Sequence, residues 1–209
     1  MPGKKFEPFL AAALRSRSPG GIFLKRAIQT SLFPEDQTAL SFALRLHRTT
    51  AVRFDFRLQV LNTLFSLVLD EPPSLDPAKS VRAKLMDDHE PSYLFSEFVI
   101  PEGQEGAGPT MPVDMGQYIP IMRKHETYET EMLDQLAEGD FRFVLRGEQL
   151  KGGWLLTGRR NSWELRKLED EYASTSEVLR LDRSVRSGMS LDELEATFFD
   201  RKLERESGM

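Results

Sequence analysis

The chain contains no cysteine, which removes disulfides, thiolate metal sites and a cysteine nucleophile from consideration. Long apolar runs are also missing. The run Phe9–Leu14 is far short of the ~20 residues a membrane helix requires, and the Arg15-Ser16-Arg17 after it lacks a small-residue cleavage pattern. No membrane association is therefore expected, and an intracellular setting is. Histidine is scarce, with only His47, His89 and His125. There is no HExxH, GxSxG, P-loop or GxGxxG, so the common signatures of metalloproteases, serine hydrolases and nucleotide binders are absent. Positive charge is in deficit too: the net charge of −5 gives no support to nucleic-acid binding by the whole surface.

Apolar residues make up 40% of the 209 and aromatics 10%, enough for one core of ordinary size. Charge is unevenly spread. Lys4, Lys5, Arg15, Arg17, Lys25 and Arg26 stand against Glu7 alone in the first 30 residues, and everything after them is net acidic. A basic extension over 1–37 is expected, either a solvated terminus or an arm for nucleic acid. A short helix is expected around Phe23–Leu32, after the break at Ser18-Pro19-Gly20-Gly21.

From residue 41 to 168 short alternating or apolar runs follow one another between turn residues. Strands are expected at 41–47, 52–60, 63–69, 81–86, 94–99, 110–114, 140–146, 153–158 and 162–167, with one helix near Glu129–Ala137 ended by Gly139. That density predicts a mainly β fold, a compact antiparallel β-barrel over 38–168 with a few peripheral helices. Residues 169–209 read as a charged C-terminal helical tail. In it Ser190-x-x-Glu193 is a capping box, and Leu191, Leu194, Phe198 and Leu203 form an apolar stripe for the barrel or for a partner.

The stretch Arg53-Phe54-Asp55-Phe56-Arg57-Leu58 places Arg53, Asp55 and Arg57 on one face of a strand and the apolar residues on the other. Such a face is either solvent-exposed surface with weakly paired charges or part of a site. His89 sits in the dense polar segment Asp87-Asp88-His89-Glu90-Pro91-Ser92-Tyr93, readable as a plain loop or as proton-handling groups. His125 has no spaced partner and is expected at the surface. Ile100–Gly108 is a glycine-rich loop that suits either a simple turn or close approach to a phosphate.

The order of these motifs resembles the 3′-phosphoesterase domain of bacterial DNA ligase D over roughly residues 40 to 168. Its carriers are Leu46-His47 through Gln59, Pro73-Ser74-Leu75-Asp76-Pro77, Asp87 through Tyr93, Ile100–Gly108, and Arg146-Gly147-Glu148-Gln149-Leu150-Lys151-Gly152-Gly153-Trp154. The resemblance implies a β-barrel that trims 3′ ends of DNA or DNA–RNA strands with manganese, removing a terminal ribonucleoside or a 3′-phosphate in DNA repair. It puts His47 and Asp55 on metal-binding positions, and Arg57, His89 and Tyr93 on positions that hold the reacting phosphate.

The departures bear on activity. Arg53 falls on the second metal-binding histidine position, and a guanidinium stays protonated and cannot ligate a metal. Phe65 and Glu71 stand where the family has lysines, Glu105 replaces a tyrosine, and Val81 replaces an arginine for which neighbouring Arg82 would compensate by a register shift. Three alternatives stand: a divergent 3′-end phosphoesterase, a barrel retained as a protein-binding module that engages repair proteins through 169–209, and a nucleic-acid binder without cleavage.

Overall fold

The computed structural model describes residues 40–87 and 89–207, with side chains as far as residue 200. The basic extension over 1–37 and the helix expected at Phe23–Leu32 lie outside the described residues, as do Asp88 and the side chain of Leu203.

Nine strands form one antiparallel sheet: β1 (Leu40–Arg48), β2 (Val52–Val60), β3 (Thr63–Leu69), β4 (Ser80–Leu85), β5 (Phe98–Ile100), β6 (Gly108–Pro120), β7 (Asp140–Gly147), β8 (Lys151–Arg159) and β9 (Ser162–Lys167). The hydrogen-bonded order is β1-β2-β3-β4-β9-β8-β7-β6, and β1 pairs with β6 to close an eight-stranded barrel. Short β5 adds to β6 at Gly108–Thr110, beyond the stretch of β6 that pairs with β7. A single-turn 3₁₀ helix, Pro91–Tyr93, precedes β5. Helix α1 (Tyr128–Glu138) joins β6 to β7, and α2 (Leu191–Ser207) ends the described chain. Among the described residues no helix is long and apolar enough to cross a membrane.

The barrel interior is an aromatic core. Phe42, Phe56, Phe143, Phe141 and Tyr118 follow one another with ring centroids 4.7–6.3 Å apart. Tyr118 satisfies its hydroxyl by donating to the Gln59 carbonyl at 2.7 Å, which a buried phenol requires. α1 lays Met132 and Leu136 on this core. Its Thr127 N-cap accepts from the Thr130 amide at 3.3 Å, and left-handed Gly139 ends it as expected.

Two strand expectations need revising. Residues 94–97 leave the sheet, because a buried arginine, not a neighbouring strand, takes the carbonyls of Leu94 and Ser96. β6 runs far beyond 110–114, since its thirteen residues serve β5, β1 and β7 in turn.

The segment after β9 wraps the barrel before α2 begins. The Ser174 amide donates to the Leu75 carbonyl at 2.9 Å and the Val185 amide to that of Pro112 at 3.0 Å, while Leu179, Leu181 and Met189 pack on the core. The capping box forms in full: the Ser190 amide donates to Glu193 Oε2 at 2.8 Å and the Glu193 amide to Ser190 Oγ at 3.3 Å. Leu191 and Leu194 are buried against the barrel and Phe198 packs beside them, so the described part of the stripe faces this chain's own core.

Two of the sequence departures turn out to concern packing. Phe65 is fully buried, edge-on to Trp163 at 5.8 Å, and Val81 joins the same core. Neither lines a groove, so the charge lost at these positions is not lost from a binding surface. Glu71 and Arg82 are exposed, and Arg82 Nε pairs with Asp70 Oδ2 at 3.3 Å.

Candidate functional site

β1 and β2 are buried on both faces, which alternation alone does not reveal. Phe42, Leu44, Leu46, Phe56 and Leu58 point into the barrel, so Ala43, Arg45, His47, Asp55 and Arg57 point out of its wall. Residues 86–87 and 89–107 return across that outer face and cover it. Asp55 is 0% exposed and Arg57 5%, which rules out plain solvent-facing surface for these two charges. The register sets His47 opposite Arg53 and Arg45 opposite Asp55, gathering five ionisable groups on two adjacent strands.

The contacts are specific. His47 Nε2 lies 2.8 Å from the Gly106 carbonyl, which can only accept, so Nε2 carries the proton. His47 Nδ1 lies 3.0 Å from Arg53 Nη2, which can only donate, so Nδ1 is an acceptor and the ring is the neutral Nε2–H tautomer. Asp55 Oδ1 is 3.3 Å from Arg53 Nε, and its Oδ2 is 3.4 Å from Arg57 Nη2 and 3.7 Å from His47 Nδ1. Burial pushes the Asp55 carboxyl up, but the positive Arg53 and Arg57 beside it hold it below the ordinary carboxylate range.

Arg57, His89 and Tyr93 meet at a cavity of about 540 Å³, which His47 and Arg53 also line. Nε and Nη1 of Arg57 are buried without a hydrogen-bond partner, as is His89 Nδ1. A buried guanidinium with open donors beside a cavity suits an oxyanion ligand. Burial depresses the pKa of Arg57 while Asp55 opposes that shift. His89 is lowered first by burial and then by the positive Arg57, so it stays neutral near pH 7. Its carbonyl accepts from the Leu64 amide at 3.0 Å, which fixes the segment to β3. Tyr93 is 43% exposed at the mouth and rests edge-on against Phe98 at 5.6 Å.

The glycine-rich loop closes this side. A side chain on Gly106 (φ 75°) would stand 3.4 Å from His47 Cε1, and one on Gly108 (φ 132°) would overlap the Arg48 carbonyl at 1.9 Å. Close approach of loop to strand therefore requires glycine at 108, and the left-handed backbone favours it at 106. Glu105 also lines the cavity, bringing a negative charge to its rim.

Five sequence-derived residues, His47, Asp55, Arg57, His89 and Tyr93, thus come together here with Arg53 among them. His125 lies elsewhere, partly exposed, with Nε2 3.2 Å from Asp134 Oδ2. Sequence reasoning missed Arg45, which is fully buried. It donates to the carbonyls of Leu94 at 3.0 Å and Ser96 at 2.7 Å and to Thr110 Oγ1 at 3.2 Å, and lies 5.5 Å from the Phe98 ring. Burial and the nearby Arg57 bring its pKa down to about 9. The signal was present: Arg45 is two residues before His47, on the same face of the same strand.

A sequence model of the DNA ligase D 3′-phosphoesterase domain matches residues 45–158, more than half of the chain. The chain belongs to that family. It is also similar to the multifunctional non-homologous end joining protein LigD of Pseudomonas aeruginosa, with 32% identity over 145 residues. That alignment covers 66% of this chain and 16% of the relative, so the chain spans about a sixth of the relative's length. All five sequence-derived site residues fall inside the family match, and so does Arg53, whereas α2 lies outside it.

Proposed function

We propose that this phosphoesterase-family barrel acts in DNA end repair by recognising phosphorylated 3′ ends of DNA or DNA–RNA strands, with weak or no turnover. The terminal phosphate occupies the cavity at Arg57, His89 and Tyr93, and the Arg53 guanidinium takes the place of a metal ion. The observation that carries this reading is the buried Arg57, whose Nε and Nη1 have no partner beside a cavity lined by His89 and Tyr93.

The donor set argues against a manganese ion at His47 and Asp55. His47 Nδ1, the lone pair a metal would need, accepts from Arg53 at 3.0 Å, and Asp55 faces two guanidiniums at 3.3 and 3.4 Å. A guanidinium stays protonated, so it repels a divalent cation where a histidine would bind one. Among the described residues no group of three His, Asp or Glu side chains is placed to hold a metal. No catalytic step is therefore assigned to an ion. Two arginines on the same face of β2 neutralise the phosphate, Arg57 through its unpartnered Nε and Nη1 and Arg53 from beside Asp55. Burial and the positive Arg57 lower the pKa of His89, which disfavours the protonated form a general acid needs.

The test compares primer–templates ending in 3′-phosphate and 3′-hydroxyl, by fluorescence anisotropy for binding and by phosphate release for turnover, with and without manganese. Preference for the phosphorylated end with slow, manganese-insensitive release is expected. Equal affinity for both ends overturns the recognition reading, and release that saturates with manganese overturns the ion-free site.

A further inference from the structure

Val99, Ile100, Pro101, Gln104 and Gly106 line the phosphate cavity and also a second hollow of about 720 Å³ between the glycine-rich loop and α2. This volume falls within the ~300–1,000 Å³ typical of small-ligand sites. Its far wall is Glu195, Phe198 and Phe199 of α2, the helix outside the family match. Phe199 is 46% exposed, an uncovered ring braced edge-on by Phe198 at 5.9 Å and 77°.

The charges of the wall define what it accepts. Among the described lining residues the cation is Arg48, and its guanidinium is already taken by Asp192 and by Glu195 at 2.7 Å. Glu102 and Glu195 leave the hollow with negative charge, which opposes a phosphate. An uncharged flat ring bearing N–H or O–H donors suits it: the ring meets Phe199, and the carboxylates and Gln104 accept its donors.

We propose that this hollow is a nucleoside subsite, holding the base and sugar of the nucleotide whose 3′-phosphate lies in the adjoining cavity; the inference rests on the phosphate reading of that cavity. The substrate class is then a terminal nucleotide split between two chemically distinct hollows, phosphate against Arg57 and base against Phe199.

The test titrates the full chain with inorganic phosphate and with a deoxynucleoside 3′-monophosphate. Phe199→Ala should weaken the nucleotide roughly tenfold, as loss of one base–aromatic stack does, and leave inorganic phosphate unchanged. Phe199→Trp should keep nucleotide affinity and show saturable quenching of the introduced indole, since Trp154 and Trp163 are buried in the core; inorganic phosphate should not quench it. Phosphate binding with an unchanged nucleotide-to-phosphate ratio in Phe199→Ala, or with no quenching in Phe199→Trp, overturns the subsite alone. Absence of phosphate binding by the wild-type chain overturns both readings.

Discussion

Arg53 Nη2 donates to His47 Nδ1 at 3.0 Å while Arg53 Nε lies 3.3 Å from Asp55 Oδ1, so one guanidinium engages both residues that the family resemblance puts on metal-binding positions. The pairing follows from register: β1 and β2 place His47 and Arg53 directly opposite, and Asp55 is the next residue on the same face of β2. A histidine at position 53 would face the same two groups without carrying a fixed charge.

Replacing Arg53 with histidine should therefore free His47 Nδ1 and Asp55 and supply a third ligand. Arg53→His is expected to bind manganese with a saturable calorimetric signal that the wild type lacks. It should raise release of 3′-phosphate by about tenfold or more, the scale on which metal sites respond to changes in their supporting residues. Arg53→Ala, which removes the cation without adding a ligand, separates the two causes: it should gain little of either. Equal behaviour of wild type and Arg53→His would overturn the role given to this residue.

Arg57 bears on affinity in a different way, through its two open donors, Nε and Nη1. Arg57→Lys retains the charge but cannot place donors at both positions. Loss of a hydrogen bond to a charged group is worth about 1.5–3 kcal/mol, or roughly 10- to 100-fold in affinity. Isothermal titration with a 3′-phosphorylated oligonucleotide should show that loss in Arg57→Lys. Arg57→Ala should also lower the melting temperature, because the buried Asp55 then keeps Arg53 as its remaining close guanidinium.

Much of this was legible in the chain beforehand, for identifiable reasons. Alternation in β2 and β3 and the glycine and proline punctuation between strands report local geometry, so the barrel and most strand positions could be read directly. The ordered motifs from His47 to Trp154 did the same for the grouping of His47, Asp55, Arg57, His89 and Tyr93. What escaped were long-range coverings. Nothing near Asp55 in sequence announces that residues 89–107 return over its face, nor that Arg45 clasps Leu94 and Ser96 some fifty residues away. Phe65 and Val81 looked like lost groove charges because a position compared in one dimension carries no statement of which side of the wall it faces.

The capping box of α2 is a local feature with a distant consequence. Ser190→Ala removes the acceptor for the Glu193 amide and should cost about 1 kcal/mol in helix stability. α2 meets the barrel through Leu191, Leu194 and Phe198, so fraying of its first turn loosens the wall that presents Phe199. Hydrogen exchange should show faster amide exchange in α2 with little change in β1 to β9. Nucleotide binding should weaken while inorganic phosphate binding holds.

Acid should act through Glu131, a buried carboxylate that ties α1 to the segment before it. It accepts the amides of Lys124 and His125, each at 2.9 Å, and the Gln135 side-chain amide at 2.5 Å. Burial alone would raise its pKa, but these bonds outweigh it and bring the value down to about 2, against 4.5 unperturbed. The folded state thus favours the ionised form. The stabilisation is fully present above about pH 4.5 and is lost as pH falls toward 2, because the unfolded chain takes up the proton first. Glu131→Gln should cost about 1–3 kcal/mol at pH 7, the loss of charge-assisted hydrogen bonds in a buried place. It should also flatten the decline in stability between pH 4.5 and 2. Urea denaturation of wild type and variant across that range measures both effects, and parallel curves at every pH would remove Glu131 from the acid response.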